Sequence, residues 1–122
     1  MRALAREPVA VFAGGCLGAL ARAGMLEALP PGANGWPWAT FAVNLAGAFI
    51  LGWVAAVLHR GRRRAFLATG FCGALTTFSS FQLELLELLD LGRVGVAAVY
   101  AAASLALGLV AVLLGRRVAV RR

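Results

Sequence analysis

Gly70-Phe71-Cys72-Gly73-Ala74-Leu75-Thr76-Thr77-Phe78-Ser79-Ser80-Phe81 decides how this chain is read, because it sits inside an uncharged run from Ala65 to Leu83. A helix crosses the hydrocarbon of a bilayer with about 20 apolar residues, so the run is long enough to span. Its middle resists a helix. Two glycines weaken one, while two threonines and two serines offer hydroxyl oxygens that compete for backbone partners. Irregular backbone persists at membrane depth only where protein or a watery cavity surrounds it, since lipid supplies no hydrogen bonds. The stretch therefore predicts a crossing that is broken near the midplane and built around a site.

The rest of the chain supports a membrane setting. Of its 122 residues 61% are hydrophobic, with a mean hydropathy of +0.85, against roughly 45–50% apolar usage in ordinary globular chains. A net charge of +7 would otherwise suggest nucleic acid. The positions argue against that: every basic residue is an arginine, and they stand between or beside apolar runs instead of along one groove. Cys16 and Cys72 fall in separate apolar runs and match neither a disulfide framework nor a metal-binding spacing, so both are expected as small buried residues. The charged N-terminus followed by a glycine-bearing run to Arg22 does not read as a cleavable leader, and the first segment is expected in the mature protein.

Four crossings are predicted within one domain, residues 1–122, over about 8–29, 38–58, 65–90 and 94–115. Pro8 suits the first turn of the first helix. Gly14 and Gly18, with Gly15 and Ala19 repeating the spacing, make a face that another helix can approach closely. Arg22 reads either as a side chain reaching the headgroups or as a structural group inside the bundle. Pro30 to Trp38 forms the first connector, with Trp36 and Trp38 placed at the interface, their N–H groups in the wet layer. The second segment carries Thr40 and Asn44. An amide in mid-membrane needs partners, so Asn44 is either a clamp between helices or a donor on a polar path. His59 stands alone beside Arg60 and Arg62 to Arg64 and has no second ligand near it.

In the broken segment Phe78, Phe81 and Glu84 recur at intervals of three and share a face. Tyr100, Ser104 and Gly108 form a stripe on the last helix that either packs or lines a conduit, and the arginines from Arg116 onward act as a basic stop. With four short-looped crossings, ten of the twelve arginines lie on one side, leaving Arg22 and Arg93 towards the other. The positive-inside rule then predicts cytoplasmic termini in a multi-pass protein of the inner (plasma) membrane.

Nothing here resembles an enzyme: there is no nucleophile beside a base, no second histidine and no phosphate-cradling loop. A proton-coupled exporter of cationic compounds would need a carboxylate deep in the membrane, and of Glu7, Glu27, Glu84, Glu87 and Asp90 only Glu84 is far from an interface. A non-conducting assembly subunit is a further alternative. Hydroxyls, an amide and phenylalanine rings suit a small anion better. O–H and N–H groups donate to it, and the ring edge carries the positive part of its quadrupole. An anion that meets no fixed cation is bound without being trapped, as conduction requires.

The chain resembles the fluoride channel family, Fluc or CrcB. Gly14-Gly15-Cys16-Leu17-Gly18-Ala19-Leu20-Ala21-Arg22 resembles its first-helix motif, Asn44 to Gly52 its second, Gly70 to Phe81 its broken third helix, and Tyr100 with Ser104 its fourth. The resemblance implies an antiparallel dimer with two fluoride pores, each assembled from both subunits. It implies Asn44 as the pore amide, Phe78 and Phe81 as the aromatic box, Ser79, Ser80 and Glu84 as the polar track, and Tyr100 and Ser104 as pore lining. It also implies a structural sodium ion, Na+, held at the dimer axis by the backbone carbonyls of Gly73 and Thr76. The role implied is passive export of cytoplasmic fluoride, protecting against its toxicity, with no ATP or proton site.

Two features depart from the family's pattern. Gly108 stands where members often place a serine. The arginine bias is large for a chain that must insert both ways to pair with itself, so the partner is either a second copy or, as the bias favours, an oppositely oriented paralogous chain.

Overall fold

The computed structural model describes residues 2–121 and is helical throughout, with no strand among the described residues. We number its helices α1 (Arg2–Ala28), α2 (Trp38–Val57), α3 (residues 62–75), α4 (Phe78–Asp90) and α5 (Val94–Val120). Three stretches, Arg6–Ala28, Trp38–Val57 and Val94–Val120, are long and apolar enough to cross a membrane. Side chains such as Val9, Phe12, Leu20, Leu109 and Leu113 stand exposed on their outer faces, a surface made for acyl chains and not for water.

Turn chemistry ends α1 and α4. Pro30 and Pro31 cannot continue α1, and the connector folds back on itself as the Trp36 N–H donates to the Asn34 Oδ1 at 3.1 Å. α4 closes on Gly92, whose φ of +74° lets the Arg93 N–H reach the Leu88 carbonyl at 2.8 Å.

The helices pair in two parallel couples. α1 lies along α3, where a Cβ on Gly14 or Gly18 would overlap the carbonyls of Phe66 or Phe71. α2 lies along α5 in the same way, Gly52 against the Val112 carbonyl and Gly115 against that of Phe49. Between apolar helices in lipid, association rests on such close backbone approach, which a methyl group would block. α4 runs antiparallel to α2, as Asn44 meets Thr77 and Thr40 meets Glu84. A small core of Leu88, Ala97 and Tyr100 seals the end near the first connector, flanked by Trp36, Phe41 and Phe81.

Several expectations change. α1 begins at Arg2, so Pro8 lies inside it instead of in its first turn; arginine, alanine, leucine and glutamate before it are good helix formers and carry the helix back. Arg116 and Arg117 do not stop α5, which continues to Val120, as arginine suits the negative end of a helix. Cys72 is buried but Cys16 is exposed, since the face of α1 that packs on α3 is the glycine face. The Trp36 Nε1 is buried without a hydrogen-bond partner instead of reaching the wet layer, because its ring packs edge-on against Phe41 and Tyr100. The third segment also holds a π-helical stretch, Ala65–Cys72, in which the ladder is one residue wider than in an α-helix.

Candidate functional site

The break predicted in the third segment falls between Leu75 and Phe78. Thr76 is extended, with φ −80° and ψ 151°, and so is Thr77, with φ −146° and ψ 119°. Two residues off the helical path would leave backbone groups stranded, and side chains take them up. The Thr77 N–H donates to the Asn44 Oδ1 at 2.8 Å, and the Asn44 Nδ2 donates to the Thr77 carbonyl at 3.1 Å. Asn44 thus grips both ends of one residue as a neighbouring strand would, while its second amide hydrogen stays available. The Thr77 Oγ1 accepts the Ser80 N–H at 3.2 Å and so caps α4. The Thr76 Oγ1 donates to the Cys72 carbonyl at 2.8 Å.

These captures have a cost elsewhere. In an unbroken helix the Gly73 carbonyl would accept from the Thr77 N–H and the Thr76 carbonyl from the Ser80 N–H. Both donors are diverted, the first to Asn44 and the second to the Thr77 hydroxyl. The two carbonyls the resemblance singles out are therefore among those released by the break. Gly73 itself is exposed, and a Cβ there would meet only its own helix.

Beside the break lies an open groove of about 390 Å³. It gathers Asn44, Gly73, Thr76, Phe78, Phe81 and Ser104 of the predicted site, and no charged side chain lines it. Gly47 lets the groove floor close up, since a Cβ there would overlap the Thr76 methyl. Phe78 is 69% exposed and stacks on Phe81, ring centroids 5.9 Å apart at 26°. Leu105 and Val112 of α5 add apolar wall. The N-terminus of α4, with its positive dipole end, opens at the same place.

The remaining predicted residues lie elsewhere. Ser79 is exposed on the first turn of α4, its Oγ 3.3 Å from the Thr77 Oγ1. Ser80 follows it, half-buried. Glu84 and Tyr100 form a separate closed cluster. The Tyr100 hydroxyl donates to the Glu84 Oε2 at 2.7 Å, and the Thr40 hydroxyl donates to the Oε1 at 2.5 Å. Tyr100 is fully buried, its ring 5.1 Å from that of Phe81. Phe81 therefore touches both regions. Within a single chain Tyr100 faces Glu84 instead of an open path, so the stripe with Ser104 divides: Ser104 borders the groove and Tyr100 does not. Gly108 has open space around it.

Thr40 and Thr77 went unmarked as site residues. The spacing of four between Thr40 and Asn44 placed them on one face of α2 and was the available signal for the first. Thr77 gave none beyond its place in the hydroxyl cluster, because its partner lies 33 residues away.

Residues 9–116 match the family of CrcB-like proteins, Camphor Resistance (CrcB). The chain belongs to the CrcB family. It is 48% identical over 126 aligned positions to the fluoride-specific ion channel FluC 1 of Mycobacterium tuberculosis, covering 96% of each. To the fluoride-specific ion channel FluC of Thermus thermophilus it is 45% identical, over 88% of this chain and 90% of that one. The FluC of Chlorobium luteolum is 41% identical over 86% and 85%. The match to the CrcB family takes in the whole site, from Asn44 to Ser104.

Proposed function

We propose that this chain is one half of a fluoride-selective channel of the plasma (inner) membrane that lets cytoplasmic fluoride leave by passive, electrodiffusive flow. The observation that carries the reading is the break at Thr76–Thr77, held open by Asn44, with stacked Phe78 and Phe81 on an uncharged groove. Ring edges, the leftover Asn44 N–H, the Ser104 hydroxyl and the positive end of α4 all favour a small anion, and none is a fixed charge that would hold it. A negative interior drives such an ion outward, at about 2.3 kcal/mol per charge per 100 mV. The cation-exporter alternative fits less well: the Glu84 carboxylate has both oxygens engaged by Thr40 and Tyr100 and lies off the groove.

In this reading α3 and α4 together make the third of four crossings, and the groove is one wall of a pore completed by a second, antiparallel chain. The released Gly73 and Thr76 carbonyls, paired with those of the partner, would hold Na+, for which a set of neutral oxygens is suitable. The ion would supply positive charge where two broken helices bring their carbonyl ends together. Ser79 and Ser80 continue the path along the first turn of α4 towards the far side, and Glu84 lies beyond them, held in this chain by Thr40 and Tyr100. The arginine bias favours cytoplasmic termini and a partner that is a related chain of opposite bias over a second copy of this one.

Liposomes loaded with fluoride test the function. The chain, alone or with such a partner, is expected to release fluoride without ATP or a pH gradient and to retain chloride. Release of no fluoride, or of chloride at the same rate, refutes it. Topology reporters at both termini are expected to find one orientation, and an even mixture would return the partnership to identical chains.

A further inference from the structure

The second large depression in the molecule is unrelated to the break. It lies between the start of α1, the end of α2 and the start of α3, and encloses about 620 Å³. Its walls are apolar, with Val9, Ala13, Trp53, Phe66 and Leu67, and its rim carries Arg6, Arg62 and Arg63. No acidic side chain lines it. The neighbouring basic residues are differently placed. Arg64 donates to the carbonyls of His59 and Leu58 at 2.7 and 3.1 Å, and Arg60 and Arg64 share a separate depression with Glu7.

We propose that this groove is a binding site for one anionic glycerophospholipid. Three arginines bordering one depression that no carboxylate lines are complementary to a phosphodiester, which arginine engages through paired N–H donors. The apolar floor is what fixes the source of that phosphate. It leads onto the outer face of α1, where Val9 is 66% exposed, so acyl chains have a continuous surface to lie on. A soluble phosphate ester would leave that surface uncovered. A zwitterionic lipid would bring an ammonium group towards three arginines. Basic depressions between membrane helices recognise anionic headgroups by this combination of charge and apolar wall.

Trp53 in the groove wall serves as the reporter. The chain has three tryptophans, and W36F/W38F leaves Trp53 alone. Purified protein is reconstituted in vesicles containing equal mole fractions of brominated phosphatidylglycerol or brominated phosphatidylcholine, and quenching of Trp53 is measured. Severalfold stronger quenching by the anionic lipid is expected, falling to the phosphatidylcholine level in R6Q/R62Q/R63Q and persisting in R116Q/R117Q, which removes charge elsewhere. Native mass spectrometry of the chain with its tryptophans intact is expected to retain phosphatidylglycerol and to lose it in the same triple variant. Equal quenching by the two lipids, a preference that survives the triple variant or is lost equally in R116Q/R117Q, or displacement of the lipid by soluble glycerophosphate, overturns the proposal.

Discussion

The break lies just before α4 and Glu84 on its second turn, and the two are built from similar residue types, yet one is open and the other closed. At Glu84 both carboxylate oxygens find a side-chain partner from another helix, and Tyr100 and Thr40 are sealed from the surface. At Thr76–Thr77 the polar groups are backbone, and only some are satisfied. Asn44 closes Thr77, whereas the Gly73 and Thr76 carbonyls lose their helical donors and the Phe78 ring stands exposed. A closed cluster holds one chain together. An open one asks for something further, a second chain or an ion, because unpaired backbone in hydrocarbon is costly.

Substitutions on the two sides sharpen this contrast. Asn44→Ala strips the Thr77 N–H and the Thr77 carbonyl of their partners, and each backbone group left unpaired costs about 1–3 kcal/mol. Destabilisation of about 2 kcal/mol or more is expected, read as a lower unfolding midpoint in detergent, together with loss of fluoride flux. Full stability in that variant would mean that the break supports itself. Tyr100→Phe keeps the ring against Phe81 but removes one hydrogen bond to a carboxylate, which is worth about 1.5–3 kcal/mol. Because Thr40 still holds Glu84, the lower end of that range is expected. The unfolding midpoint of the variant, compared with that of Thr40→Val, reports how the pair shares the load. Phe78→Ile should change stability least, within about 0.5 kcal/mol, as exposed positions do. Flux is nevertheless expected to fall well below that of the unaltered chain, and unchanged flux would remove the ring from the ion's path. Phe81→Ile is the less clean experiment, since Phe81 also packs on buried Tyr100.

Much of the architecture was readable in advance for a plain reason: lipid permits few solutions. Long apolar runs must be helical, arginines collect at their ends, and a glycine and hydroxyl cluster in mid-run marks where the ladder fails. The interruption between Leu75 and Phe78, the glycine face of α1 and the nearness of Phe78 to Phe81 all follow from such local patterns. The side on which Tyr100 would fall did not. Neither did the widened ladder over Ala65–Cys72, because i→i+4 and i→i+5 bonding leave the same composition behind.

By itself the sequence determined a helical membrane chain of arginine-flanked crossings with a weak point at Thr76–Thr77, because propensity, hydropathy and charge act within a few residues of where they are written. The tertiary structure alone decided who answers that weak point. Asn44 reaches Thr77 from 33 residues away and Thr40 reaches Glu84 from 44, and only the crossing of α2 over α4 sets those distances. Whether a hydroxyl or an amide clamps, caps or is left exposed depends on what the neighbouring helix brings to it.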